Sequence, residues 1–141
     1  MKLKFIDYKI PPLIQTLDEI RREFGRQVFL KAIDNNDREE KGEGKAAATI
    51  VGSVRAYTEN KTAFIGGLMV EPKLQNYGIG TLLMKTIEQY FAQEVKRYEL
   101  FTGHKSIGNL HLYQKLGYQE FKRIPVNNAL TMVFMEKYAS K

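Results

Sequence analysis

The chain contains no cysteine. Disulfides, thiolate catalysis and cysteine-ligated metals are therefore excluded. Its only histidines are His104 and His111, too few for a histidine-based site, so no metal is expected. No apolar run approaches the roughly 18 residues of a membrane-spanning helix. The opening "MKLKFIDYKIPP" lacks the longer apolar core of a signal peptide. No membrane contact is expected, and a cytoplasmic location follows as the default. There are 22 basic and 16 acidic residues, a formal net charge of +6. The basic residues are dispersed, with no run of five or six and no zinc-finger or basic-zipper pattern, so no nucleic-acid partner is expected. The excess reads as a solvated surface that can also attract a small anion.

What is present is 141 residues, 43% hydrophobic and 27% charged. That composition suits a single soluble domain over residues 1–141, large enough to bury a core. No internal repeat or linker interrupts it. Apolar and β-branched runs predict about seven strands, near residues 3–8, 27–33, 48–58, 62–70, 97–102, 118–123 and 130–138. The polar stretch 34–45 reads as a loop, and "TENK" at 58–61 as the tight turn of a hairpin. Three helices are predicted. Leu13, Leu17, Ile20 and Phe24 mark the first, ended by Gly25; Leu83, Ile87, Tyr90 and Phe91 share a face of the second. The third covers 106–116, with Ser106 as N-cap and Gly117 as stop. The order β-α-β-β-β-α-β-α-β-β describes an α/β (α+β) fold, a mixed, mostly antiparallel sheet with helices on both faces.

The most informative stretch is "VEPKLQNYGIGTLLMKTIEQYF", residues 70–91. A strand hands over to a helix through Gln75-Asn76-Tyr77-Gly78-Ile79-Gly80. A helix N-terminus carries unpaired N–H groups and partial positive charge. A preceding turn can aim further N–H groups at the same point, and glycine lets a phosphate approach the backbone. The expected occupant is an anion, a phosphate or pyrophosphate; the alternative is a plain turn that uses glycine for conformation. Known phosphate loops do not fit. Gly80 is followed by Thr81-Leu82, not by Lys and Ser or Thr, and a dinucleotide fingerprint needs a small residue where bulky Leu83 stands.

"LMVEPKLQNYGIGTLLM" resembles the acyl-CoA signature of the GNAT superfamily of N-acyltransferases: strand, link, Gln or Arg, two residues, Gly, one residue, Gly or Ala. Gln75, Gly78 and Gly80 match it in order and spacing. "NLHLYQKLGYQEF" is similar to the later family motif at Asn109, Tyr113, Gly117 and Tyr118. The resemblance implies that backbone from Gln75 through Asn76, Tyr77, Gly78, Ile79 and Gly80 to Thr81 wraps the CoA pyrophosphate. It implies that Met69 and Val70 pair with the pantetheine arm as an added strand would. It implies that Tyr113 gives a proton to the departing CoA thiolate, a transfer that the acidities of a phenol and a thiol allow. The family often has two helices where this chain has one brief helical region.

At about 100° per residue, Leu110, Leu112, Tyr113 and Leu116 fall in one arc of the third helix, with Asn109 inside it. His111, Gln114 and Lys115 fall opposite and read as solvated. Asn109 on the apolar face needs hydrogen-bond partners, from nearby backbone or from a ligand. Tyr113, one turn later, is expected to face the same cleft. Glu71 and His104, at strand ends, are candidate proton acceptors or simply exposed polar residues. The expected reaction moves an acetyl group from acetyl-CoA to a primary amine of a small molecule or peptide. The thioester is already activated, so transfer is direct in a ternary complex with no acyl-enzyme, and a backbone N–H near Val70 polarises the carbonyl. Alternatives are a non-catalytic acyl-CoA sensor or interaction module, and a basic nucleic-acid-binding domain. Asp18, Glu19 and Glu23 could attract a cationic acceptor or be a solvated helix face. The chain is expected to act as a monomer or homodimer.

Overall fold

The computed structural model describes residues 2–7, 27–34 and 49–139. The predicted first helix, with Asp18, Glu19 and Glu23, and nearly all of the predicted loop lie outside the described residues. The strands are β1 (Lys2–Asp7), β2 (Gln27–Asp34), β3 (Thr49–Glu59), β4 (Thr62–Val70), β5 (Arg97–Gly103), β6 (Gln119–Pro125) and β7 (Thr131–Tyr138). The helices are α1 (Ile79–Phe91) and α2 (Ile107–Lys115), with a short 3-10 turn at Pro72–Leu74 before α1. The strands form a seven-stranded sheet in the order β1-β2-β3-β4-β5-β7-β6. Every neighbouring pair is antiparallel except β4 and β5.

Alternation decides which face carries the core. Val28, Leu30 and Ala32 on β2, Val54 and Ala56 on β3, Tyr98 and Leu100 on β5, and Val133 and Met135 on β7 are all buried. A Cβ on Gly52 of β3 would lie 3.0 Å from Leu83 of α1, so the even-numbered face of β3 is the one that α1 covers. The apolar stripe of α1 supplies the opposing surface. Leu83, Ile87 and Phe91 lie on it as the spacing predicts, joined by Ile79 and Met84, while Tyr90 is half-buried. Each fully buried side chain of this size contributes roughly 1.5–3 kcal/mol. The β3–β4 hairpin closes through Asn60 and Lys61, both at positive φ (49° and 64°), the turn whose twist matches that of the strands.

β4 contains a bulge. Arg55 pairs with Gly66 and Ser53 with Met69, so Gly67 and Leu68 together oppose Val54. Gly67 has φ 65°, the left-handed geometry of a glycine bulge. The extra residue shifts the alternation. Ala63 and Ile65 are buried before it, and Leu68 and Val70 are the half-buried positions after it.

α1 is also tied down by a polar cluster. Glu88 Oε2 accepts the Tyr118 hydroxyl at 2.8 Å, and Oε1 accepts Lys137 Nζ at 2.8 Å. The Tyr98 hydroxyl donates to the Glu88 carbonyl at 2.9 Å. Burial, and then the Glu88 charge, push the Tyr118 phenol far above its ordinary range, so it stays a donor. Removing a donor from a nearly buried charge leaves that charge short of a partner. Tyr118→Phe is expected to destabilise the fold by about 1.5–3 kcal/mol, lowering the urea midpoint without changing the slope. A midpoint equal to that of the parent would show that the cluster does not hold α1.

Candidate acyl-donor site

The site begins where β4 and β5 part. Their parallel pairing covers Thr62 to Phe64 against Arg97 to Glu99 and then stops, although β4 runs on to Val70 and β5 to Gly103. The direction of the unpaired groups follows from the β3 ladder. Glu71 N–H donates to Val51 at 2.8 Å, which makes Gly52 and Val70 a non-hydrogen-bonded pair. The N–H and C=O of Val70 therefore point away from β3, into the gap left by β5. By the same alternation Leu68 points there, whereas Met69 directs its backbone to Ser53 of β3. On this register the Met69 backbone turns to β3, and that of Leu68 lies beside Val70 on the side of the gap. What Met69 gives the cleft is its side chain, 68% exposed. The signal for this was the Gly66-Gly67 pair inside a strand, which marks a bulge.

A cleft of about 760 Å³ opens along this gap, within the usual span of ligand sites. One wall is Leu68, Met69 and Val70; the second is the turn from Pro72 to Thr81; the third is α2, through Gly108, Asn109, His111, Leu112 and Lys115. At the turn, Gln75 Nε2 donates to the Val70 carbonyl at 3.3 Å, joining the turn to the strand. Asn76 (φ 71°) and Gly78 (φ 85°) are both left-handed. Gly78 is the N-cap of α1 and provides no side-chain cap. The first helical bond runs from Leu82 N–H to the Gly78 carbonyl at 3.0 Å, so the N–H groups of Ile79, Gly80 and Thr81 precede the helical ladder. A Cβ on Gly78 would meet nothing within 4 Å, which leaves open space over this N-terminus. Gly80 has a different task. A Cβ there would come within 3.3 Å of Leu112, so its small size lets α2 close on α1. Tyr77 is 76% exposed and Ile79 is 6% exposed; neither side chain lines the cleft, and each has only backbone to offer.

Among the residues lining the cleft the ionisable ones are His111 and Lys115, and none is acidic. The helix N-terminus and the Lys115 ammonium carry the same sign, and the cavity suits an anion. His111 and Lys115 are exposed, as a solvated face requires, and with Gly108 and Leu112 they also border the cleft. Asn109 lines it, as expected. Tyr113 does not. It is 5% exposed and packs beside Tyr118 at 6.0 Å between ring centroids. Its hydroxyl has no hydrogen-bond partner among the described residues, yet no sealed side-chain oxygen among them lacks one, so the tip of Tyr113 touches solvent. Burial pushes its phenol up to about 12.

Neither candidate proton acceptor lines the cleft. Glu71 is exposed just beyond β4. The His104 Nδ1 lies 2.9 Å from the Thr131 N–H and 3.2 Å from the Thr131 carbonyl, which ties the end of β5 to the start of β7. Among the described residues no group of three His, Cys, Asp or Glu could hold a metal ion, and no helix is long and apolar enough to cross a membrane.

The model of the acetyltransferase (GNAT) family matches residues 7–118. No curated protein matches the chain at a significant level. Solved structures share its fold at low identity. NAA60 from Arabidopsis thaliana, in complex with a bisubstrate analogue, is 15% identical over 99% of this chain and 100% of that one, with a TM-score of 0.67. An aminoglycoside 6'-N-acetyltransferase complexed with coenzyme A is 17% identical over 100% and 98%, with a TM-score of 0.68. A GNAT family acetyltransferase from Elizabethkingia anophelis with acetyl-CoA bound is 20% identical over 96% and 97%, with a TM-score of 0.63. With the family model spanning the parted strands, the glycine turn and α2, the chain belongs to the acetyltransferase (GNAT) family and is an acyl-CoA-dependent acyltransferase.

Proposed function

We propose that the protein transfers an acetyl group from acetyl-CoA to a primary amine of a small molecule or peptide, directly and without an acyl-enzyme. The observation that carries this reading is the parting of β4 and β5 beside an uncapped helix N-terminus. The N–H groups of Ile79, Gly80 and Thr81, with the turn from Gln75, hold the pyrophosphate. Lys115 adds positive charge across the cleft, and Asn109 offers its amide to the pantetheine. The backbone of Val70 and Leu68 pairs with the pantetheine amides as a neighbouring strand would. The thioester then lies near the bulge at Gly67, where the N–H of Leu68 can polarise its carbonyl.

The neutral amine attacks the thioester carbonyl carbon, the C–S bond breaks, and the sulfur leaves as a thiolate. The amine proton passes to water, since neither Glu71, at the pyrophosphate end of β4, nor His104 lines the cleft. Tyr113, whose ring lies behind the cleft wall, donates to the thiolate through its hydroxyl tip, the part of the side chain that reaches solvent. Its phenol at about 12 stands well above an ordinary thiol near 8.5. Complete proton transfer is therefore uphill, and Tyr113 acts as a hydrogen-bond donor to the leaving sulfur.

Gly78→Val puts a β-branched residue at φ 85° and fills the space over the helix N-terminus. Acetyl-CoA affinity is expected to fall at least about tenfold by calorimetry, since left-handed backbone costs roughly 1–2 kcal/mol and the anion loses its approach. Unchanged affinity would sink the phosphate assignment.

Tyr113→Phe keeps the ring and removes the donor. The turnover rate is expected to drop on the order of 10²-fold, with CoA affinity nearly unchanged. The pH profile gives a second check. A phenol raised to about 12 stays protonated at every working pH, so its loss of function lies above that value. No alkaline fall in rate below pH ~10 should be traceable to Tyr113. An alkaline limb between pH ~8 and ~10 that disappears in Tyr113→Phe would contradict the burial argument.

A further inference from the structure

On the sheet face turned away from α1, Arg55 and Lys31 have no ion-pair partner among the described residues. On β3 the even-numbered positions face α1, so Arg55 projects from the opposite face. On β2, Phe29 is the register partner of Arg55 and Lys31 that of Ser53, so Lys31 is a diagonal neighbour of Arg55 on that same face. The guanidinium lies over Gly67 and beside Gly66, in the space that two absent side chains leave open. Like charges this close repel unless an anion joins them. On this face Glu59 and Glu99 sit toward the hairpin end, and Glu99 is held by Arg97 at 2.8 Å.

Their position relative to the reaction follows from topology. With the pyrophosphate on the Gln75–Thr81 turn and the arm passing Val70 and then Leu68, the thioester end arrives at Gly67. The core side of the sheet there is filled by α1, so an acceptor enters from the face that holds Arg55. Resting on the proposed function, we infer that the acceptor is an amine whose molecule also carries a carboxylate, and that Arg55, assisted by Lys31, binds the carboxylate beside the β4 bulge. Arg suits this task because its planar fork matches a carboxylate. The same cations favour the neutral, nucleophilic form of a nearby amine and repel polycationic acceptors.

The test compares an alanyl-glycine dipeptide with its C-terminal amide and with spermidine, reading free thiol from acetyl-CoA. The carboxylate form should show kcat/KM about tenfold or more above the amide, the scale of a charge-assisted contact. Arg55→Met should erase that difference through KM with little change in kcat, and Lys31→Met should reduce it. Equal use of dipeptide and amide, or preference for spermidine, overturns the inference. Calorimetry on the CoA-loaded protein gives a reading that needs no turnover, with the N-acetylated dipeptide and its amide as probes. Preference for the carboxylate that vanishes in Arg55→Met supports the site, and equal binding overturns it. Failure to bind CoA at all would overturn the proposed function, whereas CoA binding without carboxylate preference overturns only the acceptor class.

Discussion

One seam governs this molecule. Among the described strands β4 and β5 form the one parallel pair in a sheet that is otherwise antiparallel, and they stay together for three residue pairs. A parallel pair needs a long crossover, which here includes the 3-10 turn and α1. β5 is held on its other side along its whole length by β7, and β4 is held along nearly all of its length by β3. Each strand therefore follows a different neighbour. The bulge at Gly67 falls just where β4 has lost its β5 partner, and bulges bend and twist strands. The result is a wedge in the middle of a sheet, lined by backbone groups of Val70 and Leu68 that call for a partner. An edge strand would present such groups to any passing chain. A gap between two strands presents them only to something narrow and extended.

The crossover that makes the wedge also charges it. α1 starts at Gly78, immediately after the chain leaves β4, so its N-terminus opens onto the mouth of the gap. The first turn of α1 contains no acidic residue, and its N-cap has no side chain with which to satisfy its own N–H groups. Most helices spend those groups on a Ser, Thr or Asp cap. Here no side chain caps them, and the stability that a cap would add is forgone.

Much of this could be read from residues. The turn, its glycines and the stripe of α1 are local features, and local rules found them. The strands fell within about two residues of their observed ends because alternation is a strong signal where one face is buried. The parity shift at Gly67 was missed, since the pattern around Gly66-Gly67 still reads as one apolar run. α2 was only partly legible. Its nine residues have little amphipathic contrast, and the wheel says which residues share an arc but not what lies beyond it. Leu112 belongs at once to the apolar arc and to the cleft wall, so the exposed His111 and Lys115, one position before it and three after, also border the cleft. Tyr113 turns inward instead, toward Tyr118. The described structure cannot be compared with the first predicted helix.

The division of labour between the glycine turn and Tyr113 follows from when each interaction matters. In the proposed reaction the pyrophosphate keeps its charge and its contacts from substrate to transition state. The α1 N-terminus and the backbone of Val70 therefore bind both states alike, which lowers KM without raising kcat. The sulfur is different. It carries little charge in the thioester and gains charge only as the C–S bond breaks. A donor that meets it contributes mainly to the transition state, where it raises kcat. A buried phenol is suited to this because it cannot easily lose its proton, and because a hydrogen bond is stronger where water is scarce. Raising the Tyr113 phenol to about 12 makes it a poorer acid but a more dependable donor. Protonation of the thiolate can then wait until product leaves and water returns.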